Sequence, residues 1–214
     1  MNEDLVSYYN KRANEYEKVY LNPAEQEDLL TAAQLFQNLC AGKHVLEIAC
    51  GTGYWTEQMT KTAASILATD INQPVVDIAR ARINDDRVSF AVANLYELSP
   101  DKKYDVLFGG FIWSHILLQD LDHFLDTLKS YITEGGTFVF IDSNLVEDTP
   151  HDKKRISRTD EFGNTYKERK LEQGSTHLVL KNFPTEHFLH EKLARIGPEI
   201  RYTRLKHYWI VSAQ

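Results

Sequence analysis

The chain has only two cysteines, and they form no recognisable pattern. Cys40 lies at the end of a predicted helix and Cys50 lies in a glycine-containing loop. This usage does not fit a disulfide framework and is simplest to explain by a reducing compartment, so a cytoplasmic protein is expected. The chain also lacks a signal peptide and any run of about 18 apolar residues, so no membrane span and no membrane partner are predicted.

Positive charge is scarce as well, since 24 Lys and Arg residues stand against 31 Asp and Glu, a net charge of −7. Affinity for nucleic acid comes mainly from cations that neutralise phosphates, so no nucleic-acid partner is predicted. His187 and His190 share a predicted helix, but no cysteine or carboxylate cluster joins them, and no metal site is predicted. An apolar fraction of 43% in 214 residues supports one domain with a sizeable core.

Short apolar strands alternate with helices from residue 43 to residue 142, as is typical of βαβ units and a mostly parallel sheet. The helix after Asp120 is predicted to include Ile132 and to end at Gly135-Gly136. The predicted strands are 45–48, 66–69, Val88–Ala93, Tyr104–Gly109 and Thr137–Ile141.

The pattern changes after Asp142. Two strands are predicted at Asn164–Lys170 and Ser175–Lys181, followed by a helix from Asn182 to about Ile196. The closing strands, Ile200–Lys206 and Tyr208–Ser212, are separated by one residue and must therefore be antiparallel.

The residues from His44 to Thr56 carry the strongest functional signal. An apolar strand that contains Glu47 leads directly into the turn Gly51-Thr-Gly53, where the absence of Cβ atoms lets the backbone approach a ligand. A second strand ends in Asp70, nineteen residues after Gly51, where a carboxylate can accept hydrogen bonds from ribose hydroxyls. The alternatives are a tight strand-to-helix turn for the glycines and a helix cap for Asp70.

The segment Glu47–Gly53, together with Asp70, Asn94-Leu95 and the antiparallel final strands, resembles class I S-adenosylmethionine-dependent methyltransferases of the bacterial, small-molecule type. The motifs cover Val45–Phe140, and the order of elements matches over the whole chain. The resemblance implies S-adenosylmethionine (SAM) as methyl donor and S-adenosylhomocysteine (SAH) as product. It also implies a Rossmann-like, doubly wound sheet of seven strands with the last strand antiparallel, helices on both faces and a small β-hairpin insertion after strand five.

This resemblance predicts a single domain spanning residues 1–214. Its parts would be an N-terminal helical cap (1–42), a cofactor-binding core (43–142), an insertion hairpin over the acceptor site (143–183) and a closing helix with a strand pair (184–214). The residues assigned to the cofactor are Glu47, Ala49, Gly51, Gly53, Trp55, Asp70, Ile71, Asn94, Leu95, Phe111, Tyr8 and Tyr16.

Within that set, the backbone from Ala49 to Gly53 would surround the methionine part of SAM. Glu47 would organise the loop or meet the amino group through water. Asp70 would hold the ribose, and Ile71 would pack on the adenine. Asn94 would accept a hydrogen bond from the adenine amino group in place of the family's usual Asp, or it is an ordinary loop residue.

Aromatic rings are expected around the positively charged sulfonium, because their faces attract cations. Phe111, Trp113 and Trp55 are the candidates, and Leu95 would cover the second face of the adenine. Tyr8 and Tyr16 lie on one face of the first predicted helix, which resembles an entry helix that folds over the cofactor. Such a stripe is more often ordinary packing.

His115 follows strand four, at the edge where an open α/β sheet meets its second ligand. An imidazole there is able to deprotonate an oxygen or nitrogen nucleophile near neutral pH, so His115 is the candidate catalytic residue. The alternative is a histidine that lines the pocket without a proton role.

Motifs that are missing from the sequence narrow the range of possible methyl acceptors. Phe108-Gly109-Gly110-Phe111 replaces the Asp/Asn-Pro-Pro-aromatic motif of adenine- and amide-nitrogen methyltransferases, and the Pro-Cys pair of cytosine-C5 enzymes is absent. A small molecule methylated on oxygen or nitrogen is therefore expected. The excess of Lys and Arg in Lys153–Lys170 suggests an anionic acceptor, with a solvated surface as the alternative.

Two other functions are compatible with the motif. An NAD(P)-dependent oxidoreductase would need a third glycine where the chain has Thr56. A protein of the same fold that binds SAM or SAH without catalysis is the other possibility.

Overall fold

The computed structural model describes residues 20–100, 102–145, 156–170, 174 and 176–214. Its strands are β1 (His44–Ile48), β2 (Ser65–Asp70), β3 (Val88–Val92), β4 (Tyr104–Gly110), β5 (Ile132–Ser143), β6 (Arg158–Thr159), β7 (Thr165–Lys170), β8 (Thr176–Leu180), β9 (Ile200–Arg204) and β10 (Tyr208–Ala213). Its helices are α1 (Gln26–Cys40), α2 (Tyr54–Thr60), α3 (Gln73–Arg82), α4 (Leu121–Lys129) and α5 (Glu186–Leu193). Within these ranges, none of the helices has the length and apolar content needed to cross a membrane.

The main sheet has seven strands in the order β3-β2-β1-β4-β5-β10-β9. Strands β1 to β5 are parallel to one another, whereas β10 is antiparallel to both of its neighbours, β5 and β9. The predicted sheet, including its antiparallel last strand, is confirmed. The strand order reverses between β1 and β4, so their carboxyl ends open the crevice in which α/β proteins of this kind bind ligands.

The core lies on both faces of this sheet because side chains alternate along each strand. Val45 and Phe108 pack with the buried residues of α1 and α2 on one face. Leu46 and Leu107 pack with those of α4 and α5 on the other face. Both faces are therefore covered by helices, as predicted for a doubly wound fold.

The boundary between α4 and β5 differs from the prediction. The helix ends at Lys129, and Ile132 begins the strand. Tyr104 pairs with Ile132 and Val106 with Thr137, so the extra residues between Ile132 and Thr137 form a bulge. The two glycines lie in that bulge, where Gly135 has a φ of 71°. Ile132 is buried in the strand and happens to continue the helical apolar period, which explains the wrong prediction.

The last helix also begins later than predicted. Asn182 was expected to open it, but α5 starts at Glu186. Thr185 is its N-cap, and its side-chain oxygen accepts a hydrogen bond from the Phe188 N–H at 3.2 Å. Asn182 lies before this helix and makes hydrogen bonds with other segments of the fold.

The insertion after β5 is a three-stranded antiparallel sheet, β6-β7-β8, called here the inserted sheet. The predicted hairpin corresponds to β7 and β8, and the short strand β6 adds a third. Asn182 attaches it to the main domain: its N–H donates to the Ser114 carbonyl at 2.8 Å, and its side chain donates to the Ile116 carbonyl at 2.9 Å. The Asn182 side-chain oxygen also accepts the Thr165 N–H at 2.8 Å.

The first predicted helix, with Tyr8 and Tyr16, lies outside the described residues.

We expect Asn182→Ala to lower the free energy of unfolding by about 2–3 kcal/mol. The change leaves the buried Ile116 carbonyl and the half-buried Thr165 N–H without their partner, and an unsatisfied buried group costs about 1–3 kcal/mol. Urea unfolding measures the effect, with the exposed Asn38→Ala as control. Equal stability of the two variants would show that Asn182 does not hold the inserted sheet.

Candidate active site

The loop that follows β1 has an unusual backbone. Ala49, Gly51 and Gly53 have φ values of 52°, 55° and 83°. The left-handed region costs a non-glycine residue roughly 1–2 kcal/mol, so Ala49 is strained. The Cys50 N–H donates to the Thr69 carbonyl at 2.9 Å, and the Gly53 N–H donates to the Cys50 carbonyl at 3.0 Å. The loop is therefore folded tightly against the end of β2.

Close packing requires glycine at two positions around this loop. A Cβ atom on Gly53 would lie 3.0 Å from the Ala79 Cβ of α3. A Cβ atom on Gly110, at the end of β4, would lie 2.7 Å from the Trp55 Cδ1 of α2. Both helices thus pack closely against the glycine loop and the end of β4.

Asp70 joins the loop to the end of β2. Its Oδ2 accepts the Gly51 N–H at 3.0 Å, and its Oδ1 accepts the Asn72 N–H at 2.9 Å. Burial raises the pKa of Asp70, although these backbone donors oppose the rise. Asn72, not Asp70, is at the N-cap position of α3. The acid and the glycine loop therefore meet, as their spacing predicts.

Glu47 is buried and connects β1 to α2. The Thr56 hydroxyl donates to its Oε2 at 2.6 Å, and the Thr69 hydroxyl donates to its backbone carbonyl at 3.0 Å. Burial raises the pKa of Glu47 to about 8, and the nearby charge of Asp70 acts in the same direction. The carboxyl group is consequently mostly protonated at pH 7.

Asn94 stabilises its own turn after β3. Its side-chain oxygen accepts the Tyr96 N–H at 3.2 Å, and its amide donates to Glu97 at 3.1 Å. Leu95 is buried, and its carbonyl accepts the Tyr131 hydroxyl at 3.0 Å. The Asn94 side-chain oxygen, which was predicted to accept a hydrogen bond from the adenine amino group, therefore already accepts one from the protein.

A groove of about 680 Å³ lies between this turn and the residues after β4. We call it the His115 groove. Its lining residues are Asn94, Leu95, Tyr96, Glu97, Ile112, His115, Ile116, Leu117, Asp120, His123 and Leu180.

His115 ends a short 3-10 turn, Trp113–His115, and faces the inserted sheet. Its Nδ1 lies 2.6 Å from the Leu180 carbonyl oxygen, so Nδ1 carries the hydrogen and Nε2 is the basic nitrogen. Burial lowers the pKa of His115 to about 3, with Lys181 adding to the effect. His115 is therefore neutral at physiological pH, and it does not titrate near neutral pH as expected for a catalytic base.

Comparison with known proteins agrees with this geometry. The family model described as a methyltransferase domain matches residues 45–136. A solved structure described as a DhpI–SAH complex superposes with a TM-score of 0.75 and 25% identity, covering 98% of this chain and 94% of that one. The chain is thus similar in sequence to a methyltransferase domain over residues 45–136, and similar in fold to a protein solved in complex with SAH.

Two curated relatives extend the comparison. The malonyl-[acyl-carrier protein] O-methyltransferase of Priestia megaterium is 30% identical over 128 residues, which cover 56% of this chain and 46% of the relative. The fatty-acid O-methyltransferase of Mycolicibacterium smegmatis is 25% identical over 174 residues, which cover 72% and 63%. The chain spans about half the length of the malonyl-[acyl-carrier protein] enzymes that it matches, with 46% to 51% covered in the first three.

Of the candidate aromatic residues, Phe111 lies at the crevice at the ends of β1 and β4. It follows β4 with a φ of 57°, a second strained backbone position at the same edge as Ala49. Its ring centre is 6.2 Å from that of Tyr20, 6.5 Å from that of Trp55 and 5.5 Å from that of Tyr208. Sequence reasoning did not identify Tyr20 and Tyr208 as neighbours of Phe111, because they come from distant parts of the chain.

The other two aromatic candidates are more deeply buried. Trp113 does not reach the crevice, since its ring packs in the core 5.1 Å from Phe140 and 6.2 Å from Trp209. That prediction is wrong. Trp55 is 3% exposed and lies against Gly110, and among the described residues its indole N–H has no hydrogen-bond partner.

A buried polar cluster beside His115 was missed by the sequence analysis. The Lys181 ammonium donates to Asp142 Oδ1 at 2.6 Å and to the Ser114 hydroxyl at 2.7 Å. Asp142 also accepts the Ser114 N–H at 3.0 Å. The position of Asp142 at the end of an apolar strand was the one available signal, because acids in such places need a buried partner.

We expect Glu47→Gln to remove a pH dependence of folding. The folded-state pKa is about 8 and the ordinary value is 4.5, so the contribution of Glu47 to stability is full below pH 4.5 and is lost as the pH rises to about 8. Glutamine still accepts the Thr56 hydroxyl but has no proton to lose. The free energy of unfolding in urea should therefore decline less between pH 5 and about pH 8 in the variant than in the wild type.

The exposed Glu168→Gln serves as the control, because it makes the same chemical substitution at a solvent-exposed side chain. Its unfolding curve should follow that of the wild type. Parallel curves for Glu47→Gln and the wild type would contradict the buried, protonated state of Glu47.

Proposed function

We propose that this chain is an enzyme that transfers a methyl group from SAM to an oxygen of a small molecule. The observation that carries the proposal is the strained glycine loop bound to Asp70 at the point where the strand order reverses. SAM supplies an electrophilic methyl group together with its own leaving group.

The residues of the crevice fit such a cofactor. The backbone of residues 49–53 offers a surface without obstructing side chains at Gly51 and Gly53, and Asp70 supplies a carboxylate for the ribose. The unpartnered indole N–H of Trp55, taken over the described residues, is a donor that a ligand can satisfy.

The remaining assignments are those that the family resemblance implies. Ile71 and Leu95 would pack on the adenine, and Asn94 would border it from the groove. Phe111 would face the sulfonium. Glu47 would organise the loop through Thr56, and Tyr8 and Tyr16 would belong to a helix that covers the cofactor.

Two features support this proposal over the alternatives. Thr56 occupies the position of the third glycine of a dinucleotide fingerprint, and it is fully buried and bonded to Glu47, which disfavours an oxidoreductase. The His115 groove beside the crevice gives room for a second ligand, which favours catalysis over binding of SAM alone.

The names of the curated relatives support oxygen as the methylated atom, since both describe O-methyltransferases. The malonyl-[acyl-carrier protein] relative is named for an acceptor on a carrier protein. A free small molecule is proposed here because the groove has a volume of about 680 Å³ and is lined by the segments that follow β3 and β4, by His123 of α4 and by Leu180 of the inserted sheet. A cytoplasmic location stays a prediction from cysteine usage.

The protein's contribution to the reaction would be alignment. A neutral His115 presents Nε2 as a hydrogen-bond acceptor for the acceptor's O–H, with Nδ1 held by the Leu180 carbonyl. A pKa of about 3 makes the imidazole a weak proton acceptor, so it orients the nucleophile more than it deprotonates it. Positioning of this kind contributes up to about 7–11 kcal/mol to catalysis.

We expect Asp70→Asn to raise the dissociation constant of SAH about tenfold or more, equivalent to about 1.4 kcal/mol. Asparagine has one acceptor oxygen and no charge, so it cannot accept from the Gly51 N–H and the ribose hydroxyls together. Isothermal titration calorimetry measures the binding, with the exposed Asp77→Asn on α3 as control. Unchanged SAH affinity, or binding of NAD by the wild type, would refute the assignment.

His115→Ala should slow methyl transfer about tenfold or more and leave SAH binding unchanged. The assay follows the initial rate of radiolabel transfer from SAM into the small-molecule fraction of a cell extract. The exposed His187→Ala should behave like the wild type. An unaltered rate in His115→Ala would reduce His115 to a residue that only lines the groove.

A further inference from the structure

The buried cluster of Lys181, Asp142 and Ser114 lies where three separate parts of the fold meet. Lys181 follows β8 of the inserted sheet, Asp142 is near the end of β5, and Ser114 is in the turn after β4. The side chains of Lys181 and Asp142 are 11% and 0% exposed. Burial of two opposite charges is costly unless their geometry is good, and here each charge has additional hydrogen bonds.

The backbone around Lys181 is restrained on both sides. The Lys181 N–H donates to the Thr165 carbonyl at 2.8 Å, and the Asn182 N–H donates to the Ser114 carbonyl at 2.8 Å. The carbonyl of Leu180, directly before Lys181, is the acceptor of the His115 Nδ1–H at 2.6 Å. The contact that orients the imidazole therefore comes from a segment that the ion pair holds in place.

We propose that Lys181 and Asp142 are positioning residues that hold the His115 ring in one orientation and one tautomer toward the His115 groove, an inference that rests on the function proposed above. Neither residue needs to touch the acceptor. The ion pair joins the inserted sheet to β5, and His115 is bound between them through Leu180 and the Ser114 turn. The insertion thus takes part in the active site by orienting a side chain of the main domain.

Burial is the main cause of the lowered pKa of His115, and the charges of the same cluster modify it. Lys181 and Arg169 of the inserted sheet favour the neutral ring, whereas Asp142 and the Leu180 carbonyl favour the protonated ring. Loss of Lys181 should therefore raise the pKa of His115, and loss of the Asp142 charge should not. The other titratable groups that line the groove are Tyr96, Glu97, Asp120 and His123.

The test uses the full chain and reads His115 directly. Long-range ¹⁵N–¹H NMR spectra of the histidine rings, recorded between about pH 5 and pH 9, report tautomer and protonation. The His115→Ala spectrum identifies the signals of His115. In the wild type we expect one neutral Nδ1–H tautomer throughout.

Lys181→Met should give mixed tautomers or a protonated His115 at the acid end of the range, and Asp142→Asn should keep the ring neutral. Both variants should transfer label from SAM about tenfold more slowly or worse, with SAH affinity within about twofold of the wild type. Lys192→Met, which breaks the peripheral ion pair with Asp122 at 2.8 Å, should leave the His115 spectrum and the rate unchanged.

Removal of one partner of a buried ion pair can prevent folding. The double variant Lys181→Met/Asp142→Leu removes both charges, and it should fold and still lose the single tautomer. An unchanged tautomer and rate in a folded variant of Lys181 or Asp142 would overturn the proposal, as would a loss of rate that merely parallels a loss of SAH affinity. A wild-type chain that neither binds SAH nor transfers label would refute the proposed function, and the NMR spectra would still decide whether Lys181 holds His115.

Discussion

The hydrogen bond from the Gly51 N–H to the Asp70 carboxylate is the contact on which the crevice depends. It joins the ends of β1 and β2, and it places a carboxylate beside a backbone that carries three residues of positive φ. The loop is strained at Ala49 and closely packed at Gly53, so its shape is imposed by its surroundings. In folds of this type, glycines let the backbone approach a bound nucleotide closely, and an acidic side chain at the same sheet edge accepts hydrogen bonds from its ribose.

A second set of interactions brings the inserted sheet to that edge. Asn182 and Lys181 bind the turn after β4 through backbone and side-chain contacts. Asp142 at the end of β5 pairs its negative charge with the Lys181 ammonium. Buried polar networks that are fully bonded specify a single arrangement. For this reason the inserted sheet has a fixed position relative to His115. The sequence pattern of its own strands does not determine that position.

Prediction succeeded where the decisive interactions are local in the chain. Glu47 through Gly53 forms a strand followed by a glycine turn, and that pattern constrains the backbone within a few residues. It failed where two local patterns overlap, as at Ile132, which suits both a helix face and a buried strand. It also failed at Trp113, because a residue next to a crevice and a residue in the core beneath it share the same apolar character.

By itself, the sequence determined the parallel sheet, its antiparallel last strand and the meeting of Asp70 with the glycine loop, since each follows from periodicity, spacing and the lack of a side chain on glycine. Only the tertiary structure decided the neighbours of Phe111, the neutral state of His115 and the pairing of Lys181 with Asp142. Those features arise from residues far apart in the chain. Burial and nearby charges change the pKa of a side chain according to which groups surround it in space. A local sequence pattern does not show which distant groups the fold brings together.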